Sequence, residues 1–190
     1  MIDNFIHCNE NALNKKQCQK IINFFEINKQ YHDQGTCSGG HDEQVKKCTE
    51  MFIAREELEK PFFKDLKSVI KKTQIQYLEK YPFLNKIQRW NLAETFKIQK
   101  YLQSESFFKL HCENDGHHNQ YDEKRLIAWM VYLNDITDGG ETEFPTQKVK
   151  FKPKGGNIMF WPAYWTHPHK GIPSFTQIKY IITGWFSYEV

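Results

Sequence analysis

The sequence predicts a mostly β fold, a sandwich or double-sheet barrel, supported by helices from its N-terminal half. Three observations carry that reading. From residue 95 onward, short runs rich in aromatic and aliphatic residues (FKIQKYL, RLIAWMVYLND, VKFKP, GNIMFWPA, IKYIITGWFSYEV) alternate with polar or Gly/Pro punctuation, the pattern of strands in a two-sheet protein. Before residue 95, apolar residues recur at spacings of three and four, the period of amphipathic helices. Finally, 190 residues, 39% hydrophobic and 15% aromatic, suffice for one packed core without disulfide or metal support.

The elements follow in chain order. Asn14 caps a helix over residues 14–28. Gln17, three residues later, completes a capping box, and Cys18, Ile21, Ile22 and Phe25 share one face. Residues 33–49 (DQGTCSGGHDEQVKKCT) are polar, Gly-rich and without a period, which predicts a mobile loop. Pro61 suits the first turn of a second helix reaching Tyr81, with Phe62, Leu66, Val69, Ile70 and Tyr77 as its buried stripe and Pro82 as its stop. The expected organisation is one domain over 1–190, with helical support and a loop in 1–94 and the β core in 95–190.

Composition excludes several function classes. Lysine and arginine number 26 against 23 acidic residues, and the lysines are scattered among acidic positions. No basic stripe for a nucleic acid results. No apolar run approaches the roughly 18 residues of a membrane span, and the opening MIDNFIHCNENAL lacks the basic and apolar stretches of a leader. Five cysteines (Cys8, Cys18, Cys37, Cys48, Cys112), an odd count with no CxxC pair, point to free thiols in a reducing, cytoplasmic setting.

The chemistry concentrates after residue 100. In LHCEND, His111 and Glu113 lie two apart, so on an extended strand both project to one face. A further histidine follows in WTHPHKGIP. Two histidines and a carboxylate, with open positions opposite, suit non-haem Fe(II). Around them stand Tyr101, ten residues before His111; Arg125 and Tyr132 in RLIAWMVYLND; GGETEF from Gly139 to Phe144; KPKGG from Lys152; and His169, Pro173, Lys179 and Trp185. These blocks, over about residues 95–190, resemble the Fe(II)/2-oxoglutarate-dependent oxygenases, specifically their prolyl hydroxylase branch. Two positions depart from the branch: Glu113 stands where aspartate is usual, and Phe108 where a tyrosine is frequent.

The resemblance implies a double-stranded β-helix, or jelly-roll, with N-terminal helices packed on one sheet. It implies metal ligation by His111, Glu113 and His169; His169 is preferred to His167 because Pro173 and Lys179 keep the family spacing only when counted from it. Lys179 would meet the distal carboxylate of 2-oxoglutarate, which also explains a lysine in an otherwise apolar strand. Tyr101, Tyr132 and Thr142 would complete the co-substrate site, and Arg125 and Trp185 would face the substrate. The implied reaction is hydroxylation of a prolyl residue in a protein or peptide, using Fe(II), 2-oxoglutarate and O2, with succinate and CO2 as co-products and ascorbate as an optional reductant. The alternatives are a hydroxylase of a free amino acid or other small molecule, and a metal-free binding module of the same descent.

The remaining residues have structural readings. Gly139 and Gly140 shape a turn; His7, His32 and His41 are structural or solvated; Trp161 and Trp165 pack the β core; Cys112 points to the sheet face opposite its neighbours. The loop around residue 40 and the one carrying His117 and His118 are candidate substrate lids.

Overall fold

A computed structural model of the chain describes residues 3–37, 40–116 and 124–189. His117 and His118 lie outside the described residues, as do Ser38 and Gly39 of the polar loop. Helix α1 (Lys15–Ile27) begins where Asn14 predicts. The Asn14 side chain accepts from the Gln17 amide, and the Gln17 side chain accepts from the Asn14 amide. Cys18, Ile21, Ile22 and Phe25 are its buried residues. Helix α2 (Lys64–Lys80) starts three residues later than Pro61 suggests, after a single 3-10 turn at Pro61–Phe63. The tighter turn changes the phase, so Phe63 rather than Phe62 is buried, ahead of Leu66, Ile70, Thr73 and Tyr77.

The strands are β1 (His7–Asn9), β2 (Asp33–Gln34), β3 (Thr49–Ala54), β4 (Trp90–Tyr101), β5 (Arg125–Tyr132), β6 (Thr142–Phe144), β7 (Val149–Phe151), β8 (Ile158–Pro162), β9 (Lys170–Gly171) and β10 (Lys179–Tyr188). A seven-stranded sheet runs in the order β1-β8-β5-β10-β4-β3-β2, and a three-stranded sheet in the order β7-β6-β9. Every pairing is antiparallel. All five C-terminal apolar runs contribute strands. The N-terminal half departs from expectation, because β1, β2 and β3 join the large sheet and β4 begins at Trp90. Strand β3 was hidden from pattern reading by Glu50, a carboxylate buried inside the run EMFIA.

The large sheet divides the interior in two. Met51 and Ile53 of β3, Phe96 and Ile98 of β4, and Ile182 and Phe186 of β10 pack against α1 and α2. The alternate residues face the small sheet, where Tyr101, Met130, Ile181 and Trp185 meet Phe144 and Trp161. This is the jelly-roll arrangement, with helices on one sheet and a pocket between the two. Trp161 packs in that layer, but Trp165 does not: it is 79% exposed, because it lies in the irregular stretch after β8 rather than in the strand.

Turn glycines hold the layers in register. Gly139 and Gly140 both have φ of 75° and form the turn before β6. Gly156 has φ of 93°, and a Cβ there would lie 1.9 Å from the Leu13 carbonyl oxygen, so the KPKGG turn is clamped onto the N-terminal segment ahead of α1. Replacement by alanine combines left-handed backbone with a backbone clash. Gly156→Ala is expected to lower unfolding stability by about 3 kcal/mol. Gly40→Ala, also at positive φ but with nothing within 4 Å, should cost about 1 kcal/mol. Urea midpoints of the two variants check the difference.

Candidate active site

His111 lies outside the regular strands. It forms an isolated antiparallel bridge with His169: the His111 amide donates to the His169 carbonyl at 3.0 Å, and the His169 amide returns the bond at 2.8 Å. One main-chain rung therefore joins two residues distant in sequence. Glu113 follows at a bend rather than on an extended strand, yet its carboxylate still turns to the same side. Glu113 Oε1 lies 3.2 Å from His169 Nε2 and 3.7 Å from His111 Nε2, and one ligand atom from each residue falls within 4.8 Å of the others.

Hydrogen bonds behind the rings decide which nitrogen faces inward. His111 Nδ1 donates to the Lys109 carbonyl at 2.9 Å, and His169 Nδ1 donates to the His167 carbonyl at 3.1 Å. A carbonyl only accepts, so both neutral rings carry their proton on Nδ1 and present a bare Nε2. Burial, and then the neighbouring His169, hold the His111 pKa below the ordinary imidazole value. Burial alone would raise the Glu113 carboxyl, but His111 and His169 outweigh it and keep it well below the usual range. In their neutral forms the two rings turn Nε2 lone pairs toward the Glu113 carboxylate. That donor set fits a divalent cation bound on one face, open to the cavity opposite, as Fe(II) requires.

The histidines are held by aromatic contacts. Phe107 stacks on His111 with centroids 3.6 Å apart and planes at 10°, and Phe144 and Trp161 flank His169. His167 is elsewhere engaged. It is buried, its Nε2 donates to the Asn4 carbonyl at 2.8 Å, and its Nδ1 accepts from the Thr166 hydroxyl at 2.9 Å. It belongs to the anchoring of the N-terminal segment.

A cavity of about 340 Å³ opens beside the triad. Lys179 lines it at 5% exposure, with its ammonium 3.1 Å from the Gly140 carbonyl and 4.8 Å from the Tyr101 ring. Burial pushes its pKa down to about 8. Tyr101 and Thr142 also line the cavity. Tyr132 stands directly behind Thr142. Its hydroxyl donates to the Phe151 carbonyl at 3.0 Å and pairs with the Thr142 hydroxyl at 2.6 Å, so it braces Thr142 from behind.

The two expected substrate residues are both on the wall but tied to the metal site. The Trp185 indole donates to Glu113 Oε2 at 2.8 Å, fixing the carboxylate oxygen that does not face the histidines. The Arg125 guanidinium lies 3.7 Å above the Trp185 ring and donates to the Glu113 carbonyl at 3.2 Å. Trp185 is thus a positioning residue for Glu113, which its spacing alone did not reveal. Cys112 lines the cavity instead of facing away, because the chain bends after it. His7, His32 and His41 stand apart from the triad; His32 stacks on Phe25, and His41 bonds to the Gly35 carbonyl.

Sequence reading missed Phe107 and a group of charges on the wall. Lys46 and Lys97 line the cavity with Thr36 and Gln99, all bonded to the buried Glu50. The signal was available in part. In FKIQKY, Lys97 and Gln99 alternate with Phe96 and Ile98, so they share the face of Tyr101.

The triad makes a direct prediction. His111→Ala, Glu113→Ala and His169→Ala should each abolish high-affinity Fe(II) binding in anaerobic titration, because two remaining ligands make too weak a chelate. His167→Ala should retain the metal while losing some stability. Retention of iron by the His169 variant would contradict the ligand set.

Comparison with known proteins agrees with this geometry. Residues 96–187 match the family model of the 2OG-Fe(II) oxygenase superfamily. A candidate prolyl 4-hydroxylase of Acanthamoeba polyphaga mimivirus is 27% identical over 191 residues, spanning 93% of this chain and 71% of the relative. Among solved structures, the viral collagen prolyl hydroxylase of Paramecium bursaria Chlorella virus 1, in complex with 2OG, superposes with a TM-score of 0.72 at 20% identity over 98% of this chain and 97% of that one. A Trichoplax adhaerens prolyl hydroxylase, in complex with a hypoxia-inducible-factor peptide fragment, gives 0.74 at 17% identity over 97% and 84%. A Pseudomonas putida prolyl 4-hydroxylase gives 0.72 at 15% identity over 96% and 92%. The His111–Glu113–His169 cluster, the cavity lysine Lys179 and the jelly-roll that holds them all fall within or around the segment that matches the 2OG-Fe(II) oxygenase superfamily model.

Proposed function

We propose that this protein hydroxylates a prolyl residue in a protein or peptide. The observation that carries the proposal is the joining, in one cavity, of a cation-ready His/Glu/His triad and a buried lysine. It is supported by the shared fold with prolyl hydroxylases, one of them holding 2OG and another a peptide. Bound Fe(II) with 2-oxoglutarate and O2 supplies the oxidising chemistry, in which the co-substrate becomes succinate and CO2 while one oxygen atom enters the substrate.

The chain's own residues have distinct tasks. His111, Glu113 and His169 hold the metal from one side, with both imidazoles fixed in tautomer by backbone carbonyls. Trp185 and Arg125 hold Glu113, which offsets the extra reach of glutamate relative to aspartate. Lys179 receives the distal carboxylate of the co-substrate, with the Tyr101 ring at its side and Thr142 set by Tyr132. Phe107, Phe144 and Trp161 screen the ligands from water. Arg125, which also lines the cavity, is the residue assigned to grip the substrate backbone. Cytoplasmic residence is part of the proposal, supported by five cysteines that are all unpaired.

Two measurements test these roles. Lys179→Ala should weaken 2-oxoglutarate binding by about 1.5–3 kcal/mol through loss of a charge-assisted bond. In the unmodified protein, affinity should be flat below pH 8 and fall above it, because the free ammonium loses its proton near pH 8. Lys179→Arg should keep its charge and remove that alkaline decline.

The substrate class is tested by mass spectrometry. Proline-containing peptides should stimulate succinate release more than free L-proline and gain one oxygen on proline. Arg125→Ala should lose the stimulation by peptide, and Fe(II) affinity measured alongside separates that loss from loosening of the Glu113 backbone it also holds. Hydroxylation of free amino acids with peptides ignored would replace the protein-substrate reading and leave the oxygenase intact.

A further inference from the structure

The chemistry above leaves one part of the cavity wall unused. Glu50 has no exposed surface, and its carboxylate accepts from Lys46 Nζ at 2.5 Å, Lys97 Nζ at 3.3 Å, the Thr36 amide at 3.1 Å, the Thr36 hydroxyl at 2.8 Å and Gln99 Nε2 at 3.1 Å. A carboxylate offers about four acceptor positions, so it is saturated. It nevertheless brings one negative charge to two lysines. Lys46 spends a second N–H on the Thr36 carbonyl at 3.1 Å. Lys97, its side chain only 12% exposed, has Glu50 as its hydrogen-bond partner among the described residues and lies 4.4 Å above the Phe52 ring. N–H groups of Lys97 therefore remain for whatever enters the cavity it lines.

Register locates this cation. Lys179 is paired with Tyr101, Ile181 with Gln99 and Thr183 with Lys97 across β10 and β4. Trp185, which holds Glu113, is the next cavity-facing residue of β10. Lys97 thus sits toward the metal end of the sheet face, and four residues of strand, about 13 Å, separate it from the level of Lys179. It is too distant to share the distal carboxylate of 2-oxoglutarate. The surrounding charge has the same sense. The wall carries Lys46, Lys97, Arg125, Lys170 and Lys179 against Glu113 and Asp115, with Glu50 behind. Divalent iron and a doubly charged co-substrate cancel each other, so the loaded cavity stays cationic. A partly buried, incompletely paired ammonium is costly unless an anion reaches it.

We propose that Lys97, backed by Lys46 and Glu50, is a carboxylate subsite, and that the substrate carries an acidic group close to the residue hydroxylated. The proposal rests on the hydroxylase reading only for the position of the target. The carboxylate is either an acidic side chain beside the target or the α-carboxylate of a short peptide or free amino acid, since the same ammonium would receive each.

Anaerobic calorimetry on the enzyme loaded with Fe(II) and 2-oxoglutarate distinguishes these sources. The probes are proline peptides of equal length, capped at both ends, with glutamate, glutamine or lysine beside the proline; the glutamine peptide with a free C-terminus; and free L-proline. A carboxylate-bearing probe should bind roughly 10- to 100-fold more tightly than its capped glutamine counterpart, the worth of one charge-assisted bond. The probe that gains identifies the source. Lys97→Met should abolish the difference and Lys97→Arg should restore most of it. Absence of a carboxylate preference in every probe, or a preference undiminished in Lys97→Met, overturns the proposal and leaves a structural ion cluster only. Substituting alanine for proline separates the two readings: a Lys97-dependent acidic preference without hydroxylation of any proline peptide would sink the prolyl reading and sustain the carboxylate subsite.

Discussion

The alternation of side chains along β10 is the constraint on which the rest depends. This strand is hydrogen-bonded on both sides, to β4 and to β5, so it can neither slip nor rotate without breaking two ladders. Its odd-numbered residues, Lys179, Ile181, Thr183 and Trp185, line the cavity, while Ile182 and Phe186 enter the helix-facing core. A shift of one residue would exchange the two sets, placing a lysine ammonium among the phenylalanines under α1. Gly184 shows how closely the apolar side is packed, since a Cβ there would come within 2.4 Å of the Trp129 ring. Burial of the helix face thus holds the charged face in place. The stability of the core and the geometry of the site are one problem.

The metal site adds a second constraint at lower cost in regular structure. A single antiparallel rung couples His111 and His169, and each ring is turned by a carbonyl two residues before it. Identical bonding on both histidines yields two bare Nε2 atoms facing one carboxylate. The third ligand is governed from the large sheet, because the Trp185 indole fixes Glu113 Oε2. Ligands from the edge segments and a brace from the central strand therefore meet across the cavity, and misplacement of either layer separates them. The longer glutamate is tolerated because it is held at both ends, by the indole at its carboxylate and by Arg125 at its backbone.

Charge is distributed along the cavity rather than gathered at the metal. Lys179 at one end and Lys97 toward the other stand on the same sheet face, separated by the polar Gln99 and Glu50. Each lysine is accommodated by a different means: Lys179 by a backbone carbonyl and an aromatic face, Lys97 by a shared carboxylate and the Phe52 ring. Two cationic stations on one wall suit two anionic groups presented in a fixed order along the cavity.

Much of this was legible in the residue order. Local signals were sufficient wherever the physics is local: the Asn14–Gln17 box began α1 and the apolar runs became strands, while the preference for His169 over His167 came from the family resemblance in the spacing to Pro173, Lys179 and Trp185. Non-local physics decided the rest. Strand β3 could not be read because Glu50 breaks its apolar pattern, and a buried carboxylate is stable only once Lys46, Lys97, Thr36 and Gln99 arrive from three separate segments. The bond from Tyr132 to Thr142 and that from Trp185 to Glu113 were not legible either, since the partner of a hydroxyl or an indole is set by what the opposite sheet presents. The sequence by itself determined which residue types and spacings could bind iron and an anion. Only the tertiary structure decided which hydrogen-bonding groups were already spent on neighbours, because that depends on contacts between segments far apart in the chain.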